Sequence, residues 1–94
     1  MPSRGISNWH YVYVLFSEND KDLYIGYTAD LKKRVQQHNA KTSFSTKYRL
    51  PLKLIYTESC LNYDDAKRRE NYLKTSQGRR FLKLRIRKFL NNIS

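Results

Sequence analysis

The sequence predicts an α+β fold, a small and mostly antiparallel sheet with helices packed on it. Three observations carry that expectation. Runs of aromatic and β-branched residues alternate with runs of helical period in the order β-β-α-β-α-α. A short polar turn joins the first two runs as a hairpin. The chain has 94 residues, enough for one domain with one modest core and too few for two.

Each element has its local reason. Residues 1–8 read as a loose arm ahead of a single domain over 9–94. "WHYVYVLF", Trp9 to Phe16, is aromatic and β-branched and reads as a strand. Ser17 to Asp22 is a polar turn closing around Asn19 and Asp20, and Leu23 to Tyr27 is the returning strand. Asp30 is placed to cap a helix that ends near Ala40, with Leu31, Val35 and His38 on one side. Lys41 to Pro51 is irregular and polar. Leu52 to Glu58 is a third strand, with Leu52, Leu54 and Tyr56 alternating along one face. Asn62 caps a second helix to about Lys74, and Ser76 caps a third. In that last helix Leu82, Ile86, Phe89 and Leu90 form an apolar stripe at helical spacing.

Charge narrows the function. Nineteen Lys and Arg face eight Asp and Glu, a formal net charge of +11. From Asp65 to Ser94 there are ten basic residues and two acids. Such an excess on two consecutive helices points to a phosphate-tracking surface. A membrane partner is disfavoured, because no apolar run approaches a spanning length. Cys60 is the single cysteine, so no disulfide forms within the chain, which fits a reducing cytoplasm. Cys60 with His10 and His38 does not make a structural zinc set.

Several residues could carry chemistry. Tyr11 and Tyr13 share a strand face, and the hairpin brings Tyr13 beside Gly26 and Tyr24. Gly26 would leave space there for a ligand or another backbone. Arg34 and His38, four apart, share a helix face, where an arginine can grip a phosphate and a histidine can exchange a proton near neutral pH. Glu70 follows Ala66 and precedes Leu73 on the inward stripe of the second helix. A carboxylate turned inward is costly unless paired or bound to a metal. Its alternatives are an ion pair with Arg68, Arg69 or Lys74, or a hydrated Mg²⁺ completed by substrate phosphates. Each residue taken alone also reads as ordinary packing or a solvated basic face.

Taken in order, these residues resemble the GIY-YIG nuclease superfamily. The first motif stands as Tyr11-Val12-Tyr13 and the second is intact as Tyr24-Ile25-Gly26. Arg34 follows at the family's spacing, His38 comes one turn later, and Glu70 in "DAKRRENYLK" matches the helical glutamate. The likeness runs from about Tyr11 to Leu90 and is closest to short, single-domain bacterial members. It implies a three-stranded antiparallel sheet flanked by helices and metal-dependent hydrolysis of DNA, with Mg²⁺ or Mn²⁺ as cofactor. On that likeness Glu70 is the metal ligand, Arg34 the phosphate clamp, Tyr24 or Tyr13 the general base or water positioner, and His38 a support for proton transfer. Lys32, Lys33, Lys47, Arg79, Arg80 and Lys83 are the expected DNA contacts. A chain of this size is expected to read DNA shape, to act with little sequence preference, or to depend on a protein partner for specificity. The sequence departs from the pattern at Tyr11, where the first motif has glycine, and at Tyr27, where repair-type members carry lysine. The competing reading is a non-catalytic nucleic-acid-binding module on the same scaffold.

Overall fold

The computed structural model describes residues 8–40 and 51–93. Three strands form one antiparallel sheet in the order β2-β1-β3. They are β1 (His10–Ser17), β2 (Leu23–Thr28) and β3 (Leu52–Cys60). Helix α1 (Leu31–Asn39) joins β2 towards β3, and α2 (Tyr63–Leu73), α3 (Ser76–Arg85) and α4 (Arg87–Asn92) follow β3. The expected architecture is therefore present, with one helix more than the sequence predicts. The arm over residues 1–7 and the polar stretch containing Lys47 lie outside the described residues.

Strand β1 is central, and strand alternation sends its side chains into two layers. Val12, Val14 and Phe16 join Leu23 and Ile25 against Ala66, Leu73 and Leu82 of α2 and α3. Tyr13 and Leu15 pack with Leu52 on the opposite face, backed by Leu31 and Val35 of α1 and by Tyr24 and Leu54. The hairpin register pairs Tyr13 with Gly26 and Leu15 with Tyr24. The turn closes as expected, with Lys21 N–H donating to the Ser17 carbonyl at 2.8 Å. Lys21 takes a positive φ of 61° to complete it, an uncommon state for a non-glycine residue.

Three local expectations are corrected. The β1–β3 register shifts between Val14 and Leu15, so Val14 pairs with Tyr56 while Leu15 pairs with Leu54. The extra residue, Ile55, makes a bulge that turns Tyr56 to the α2 side, away from Leu52 and Leu54. The cap of α3 is Thr75, whose backbone is extended and whose hydroxyl accepts from Gly78 N–H. Ser76 is instead the first helical residue. The long last helix breaks at Ile86 (φ −114°, ψ 28°), although Ile86 N–H still bonds Leu82 O and Leu90 N–H still bonds Ile86 O. Ile86 and Phe89 remain on the core, with Phe89 edge-on to Phe16. The caps read at Asp30 and Asn62 are as expected: Asp30 accepts from Lys33 N–H, and Asn62 accepts from Asp64 and Asp65 N–H.

The α2–α3 corner is tight. Thr75 Oγ1 donates to the Tyr72 carbonyl at 2.6 Å and accepts from Gly78 N–H at 3.0 Å. A Cβ on Gly78 would collide with the Tyr72 carbonyl and the Leu73 backbone, which cannot rotate away. Replacing Gly78 with alanine should therefore destabilise the protein by about 1–3 kcal/mol, the usual cost of overpacking, despite alanine's better helix propensity. Urea unfolding of the two proteins measures this; an unchanged or raised midpoint would contradict the close contact.

Candidate active site

The centre of the site is the Tyr13 hydroxyl. Tyr13 is only 1% exposed, and its ring lies over Gly26 on the neighbouring strand. A Cβ at Gly26 would land on the Tyr13 hydroxyl. The space expected above this glycine is thus filled by the protein's own phenol, not left for a ligand.

A buried hydroxyl needs partners. Helix α1 provides them from successive turns of one face, as the four-residue spacing of Arg34 and His38 predicts. Arg34 Nε donates to the Tyr13 oxygen at 3.4 Å, and His38 Nε2 lies 2.9 Å from it. Arginine can only donate, so the consistent arrangement has the Tyr13 O–H donating to His38 Nε2. Arg34 is held a second time by Nη1 donating to Gln37 Oε1 at 3.2 Å, a partner not anticipated from the sequence. Tyr24 stacks beside Tyr13 with ring centroids 6.5 Å apart and meets His38 edge-on at 5.1 Å. Tyr24 and Arg34 are half-buried, and Tyr13 and His38 lie beneath them.

Burial sets the protonation states. His38 has no exposed surface. Desolvation, reinforced by the Arg34 charge, lowers its pKa to about 4. The expectation of a histidine exchanging protons near neutral pH is corrected accordingly: His38 is neutral there. Tyr13 is pushed above its ordinary value by burial, which outweighs the Arg34 bond and charge. A depressed Tyr13 phenol is therefore not what the protein alone produces.

Glu70 projects from α2 and is 7% exposed, with Ala66 and Leu73 buried on the same stripe as expected. Its charge is the weakest of the influences acting on the Tyr13 hydroxyl. Lys74 Nζ donates to Oε2 at 3.0 Å, and Lys67 Nζ stands 2.9 Å from Oε1. Burial pushes the carboxyl up, and the two lysines more than offset this and hold it below its ordinary value. Lys67, at the i−3 position, was legible from helical spacing and is absent from the sequence reading above. Arg69 turns instead to Glu58, with Nε donating at 2.8 Å and Nη2 at 3.0 Å, and Arg68 to Asp65.

The residues present fit a hydrated divalent cation. Oε1 of Glu70 is buried, and its neighbour is the Lys67 ammonium at 2.9 Å, an ion pair without a directed hydrogen bond. Both lysines extend into solvent and can swing away. Among the described residues no group of three or more His, Cys, Asp or Glu surrounds the site, so the remaining ligands would be waters and substrate phosphate oxygens.

The basic residues are spread. Lys32 and Lys33 are exposed on α1. Arg79, Arg80 and Lys83 line, with Ser76, a surface cavity of about 440 Å³ on α3. Among the described residues no helix is long and apolar enough to cross a membrane.

The Arg34–Tyr13–His38 chain makes stability depend on pH with a definite sign. The folded His38 pKa lies below the unfolded value near 6.5. As pH falls from 6.5 towards 4 the unfolded chain takes up a proton and the folded protein does not, so stability is lost over that window. Between pH 7 and pH 5 the loss should be about 2 kcal/mol. Denaturant unfolding of the wild type and of His38→Gln at both pH values checks this; the variant should have lost most of the dependence.

The chain is similar to known proteins. A model of the GIY-YIG catalytic domain matches residues 9–91. The UPF0213 protein of Staphylococcus haemolyticus (strain JCSC1435) is 40% identical over 76 residues, covering 80% of this chain and 92% of that protein. The UPF0213 protein of Streptococcus pyogenes serotype M5 (strain Manfredo) is 57% identical over 49 residues, and the match spans about half of each chain, 51% of this one and 52% of that one. The solution structure of a UPF0213 protein from Bacillus halodurans aligns over 79% of this chain and 81% of that chain, with a TM-score of 0.50 and 31% identity. With the Tyr24-Ile25-Gly26 motif on β2 and the domain match running nearly end to end, the chain belongs to the GIY-YIG family.

Proposed function

We propose that this GIY-YIG domain is a metal-dependent endonuclease that hydrolyses DNA phosphodiester bonds. The observation that supports this best is the convergence of Arg34, Tyr13, His38 and Tyr24 in one hydrogen-bonded and stacked cluster within reach of the Glu70 charge.

The roles follow from accessibility. Tyr13 is enclosed, and its hydroxyl is engaged by Arg34 and His38, so it acts as a positioning residue. Tyr24 is the tyrosine open enough to orient an attacking water. Arg34, oriented through Nε and Nη1, is the phosphate clamp of this reading, its guanidinium stabilising the charge that grows on the phosphate. Neutral His38 takes the Tyr13 proton in its hydrogen bond and so directs the phenol oxygen's lone pairs to Arg34. Glu70 would hold the cation once Lys67 has moved off Oε1. A bound Mg²⁺ or Mn²⁺ would polarise a phosphoryl oxygen and make a water more nucleophilic. Lys32, Lys33, Lys47, Arg79, Arg80 and Lys83 are the proposed phosphate contacts, and a cytoplasmic location and a specificity-giving protein partner belong to the same reading.

One observation favours a second reading. The two lysines account for the buried Glu70 carboxylate without any metal, as expected of a binding module that has no nuclease activity. The two readings separate on a panel of linear, nicked, flapped and branched DNA with Mg²⁺ or Mn²⁺. The wild type should cleave at least one substrate. Glu70→Ala should lose cleavage by a factor of about 100 or more, the scale on which losing a single charge-stabilising group acts. DNA affinity should stay, because phosphate attraction comes from the Lys and Arg side chains. Absence of cleavage by the wild type, or equal cleavage by both proteins, would transfer the assignment to the binding module.

DNA affinity itself should fall steeply and linearly on a log–log plot against salt, with little dependence on duplex sequence. Filter binding or anisotropy in EDTA measures it, and a flat salt response would argue against any nucleic-acid role.

A further inference from the structure

A second cluster lies on the other side of Lys67. His10 at the start of β1, Tyr27 near the end of β2 and Tyr63 at the start of α2 come together although they are far apart in sequence. The His10 and Tyr27 rings stack at 5.9 Å with an interplanar angle of 19°, and Tyr27 Oη lies 2.7 Å from His10 Nδ1. Tyr63 stands edge-on to both, at 5.4 Å from Tyr27 and 5.9 Å from His10. Tyr63 nevertheless remains 50% exposed. Neither the family's motif nor the proposed hydrolysis uses these three rings.

The position of Lys67 joins the rings to the candidate metal carboxylate. Its Nζ is 5.1 Å from the Tyr27 centroid and 2.9 Å from Glu70 Oε1. One ammonium group therefore touches both sites, and the two are separated by no more than the reach of a nucleotide. The charges around the rings also have a direction. Asp64 and Asp65 occupy the first turn of α2 next to Tyr63; Asp65 is paired with Arg68, and Asp64 would repel a phosphate there. Lys67, one turn further along, would attract one.

We propose that His10, Tyr27 and Tyr63 form a stacking platform for an unpaired DNA base whose phosphate lies towards Lys67 and Glu70. Aromatic rings accept any base on their faces, and a base inside a duplex has no free face to offer. The acids at the helix start favour the uncharged base over the backbone at the rings. The basic side chain beyond them favours the backbone on the Glu70 side. The substrate class is therefore DNA that is single-stranded, or splayed, at the nucleotide beside the scissile phosphate. This rests on the proposed DNA reading and narrows its substrate.

The test is binding in EDTA, where cleavage plays no part. The probe is a short oligothymidylate carrying one 2-aminopurine, compared with a duplex of similar length at the same salt. The 2-aminopurine fluorescence should be quenched on binding, and the single strand should bind more tightly than the duplex. Tyr63→Leu keeps an apolar side chain on this half-exposed position but removes the π face. It should weaken single-strand binding about tenfold, the size of one lost base stack, and leave duplex binding unchanged. Tyr63→Phe should bind as the wild type does. The thermal midpoints of the variants check that each is folded. The platform is overturned by absence of quenching with equal affinity for both DNAs, by equal weakening on both in Tyr63→Leu, or by Tyr63→Phe behaving like Tyr63→Leu. Quenching in EDTA without cleavage in Mg²⁺ would remove the nuclease reading and leave the platform. Cleavage of the panel with no effect of Tyr63→Leu on single strands would do the reverse.

Discussion

One buried hydroxyl organises this protein. Tyr13 sits on the central strand, opposite a glycine, with its ring filling the space that any other residue at position 26 would occupy. Its oxygen is out of water, and an unsatisfied hydroxyl there would cost about 1–3 kcal/mol. Among the described residues its hydrogen-bond partners come from α1, Arg34 on one turn and His38 on the next. That demand acts together with the packing of Leu31 and Val35 on the sheet to set how α1 lies.

The second constraint is that a sheet of three strands is covered on both faces. Alternation along β1 assigns Val12, Val14 and Phe16 to the α2–α3 layer and Tyr13 and Leu15 to the α1 layer. The Ile55 bulge lets β3 contribute to both layers, with Leu52 and Leu54 on one and Tyr56 on the other. Glu70 belongs to the α2 layer and Arg34 to the α1 layer. Arg34 touches Tyr13 directly, and the Glu70 charge reaches it only weakly. Two chemically different halves of a site can therefore be carried by separate helices, each held in place by its own apolar face.

Much of this was readable before any coordinates. The pairing of Tyr13 with Gly26, the caps at Asp30 and Asn62, the shared face of Arg34 and His38 and the inward Glu70 all follow from period and turn chemistry. Those rules act over a few residues, and so do the interactions they describe. What was not readable depends on contacts made across the chain. Strict alternation puts Tyr56 with Leu54, and only the pairing with β1 reveals the bulge. Thr75 and Ser76 are equivalent capping types, and the backbone angles at the corner decide between them. The stripe over Leu82, Ile86, Phe89 and Leu90 is right as a stripe, while the break at Ile86 has no signal in it. His38 looks like a neutral-pH switch by type. Complete burial beside an arginine makes it a fixed neutral acceptor, and burial is a property of the assembled fold.

The same dependence on context bears on Glu70. In a chain with a net charge of +11, a carboxylate will find lysines wherever it sits, so its pairing with Lys67 and Lys74 is weak testimony to purpose. Its position is more telling. A surface glutamate would pair as well without the desolvation that this one bears on the inward stripe of α2. Glu58 shows the structural alternative in the same molecule: it is held through two directed hydrogen bonds from Arg69, and it also accepts from Tyr56. Glu70 is held instead by two separate, partly exposed lysines, Lys74 on Oε2 at 3.0 Å and Lys67 on Oε1 at 2.9 Å, the second an ion pair without a directed hydrogen bond. An incoming cation can replace such an ammonium without first breaking the fold.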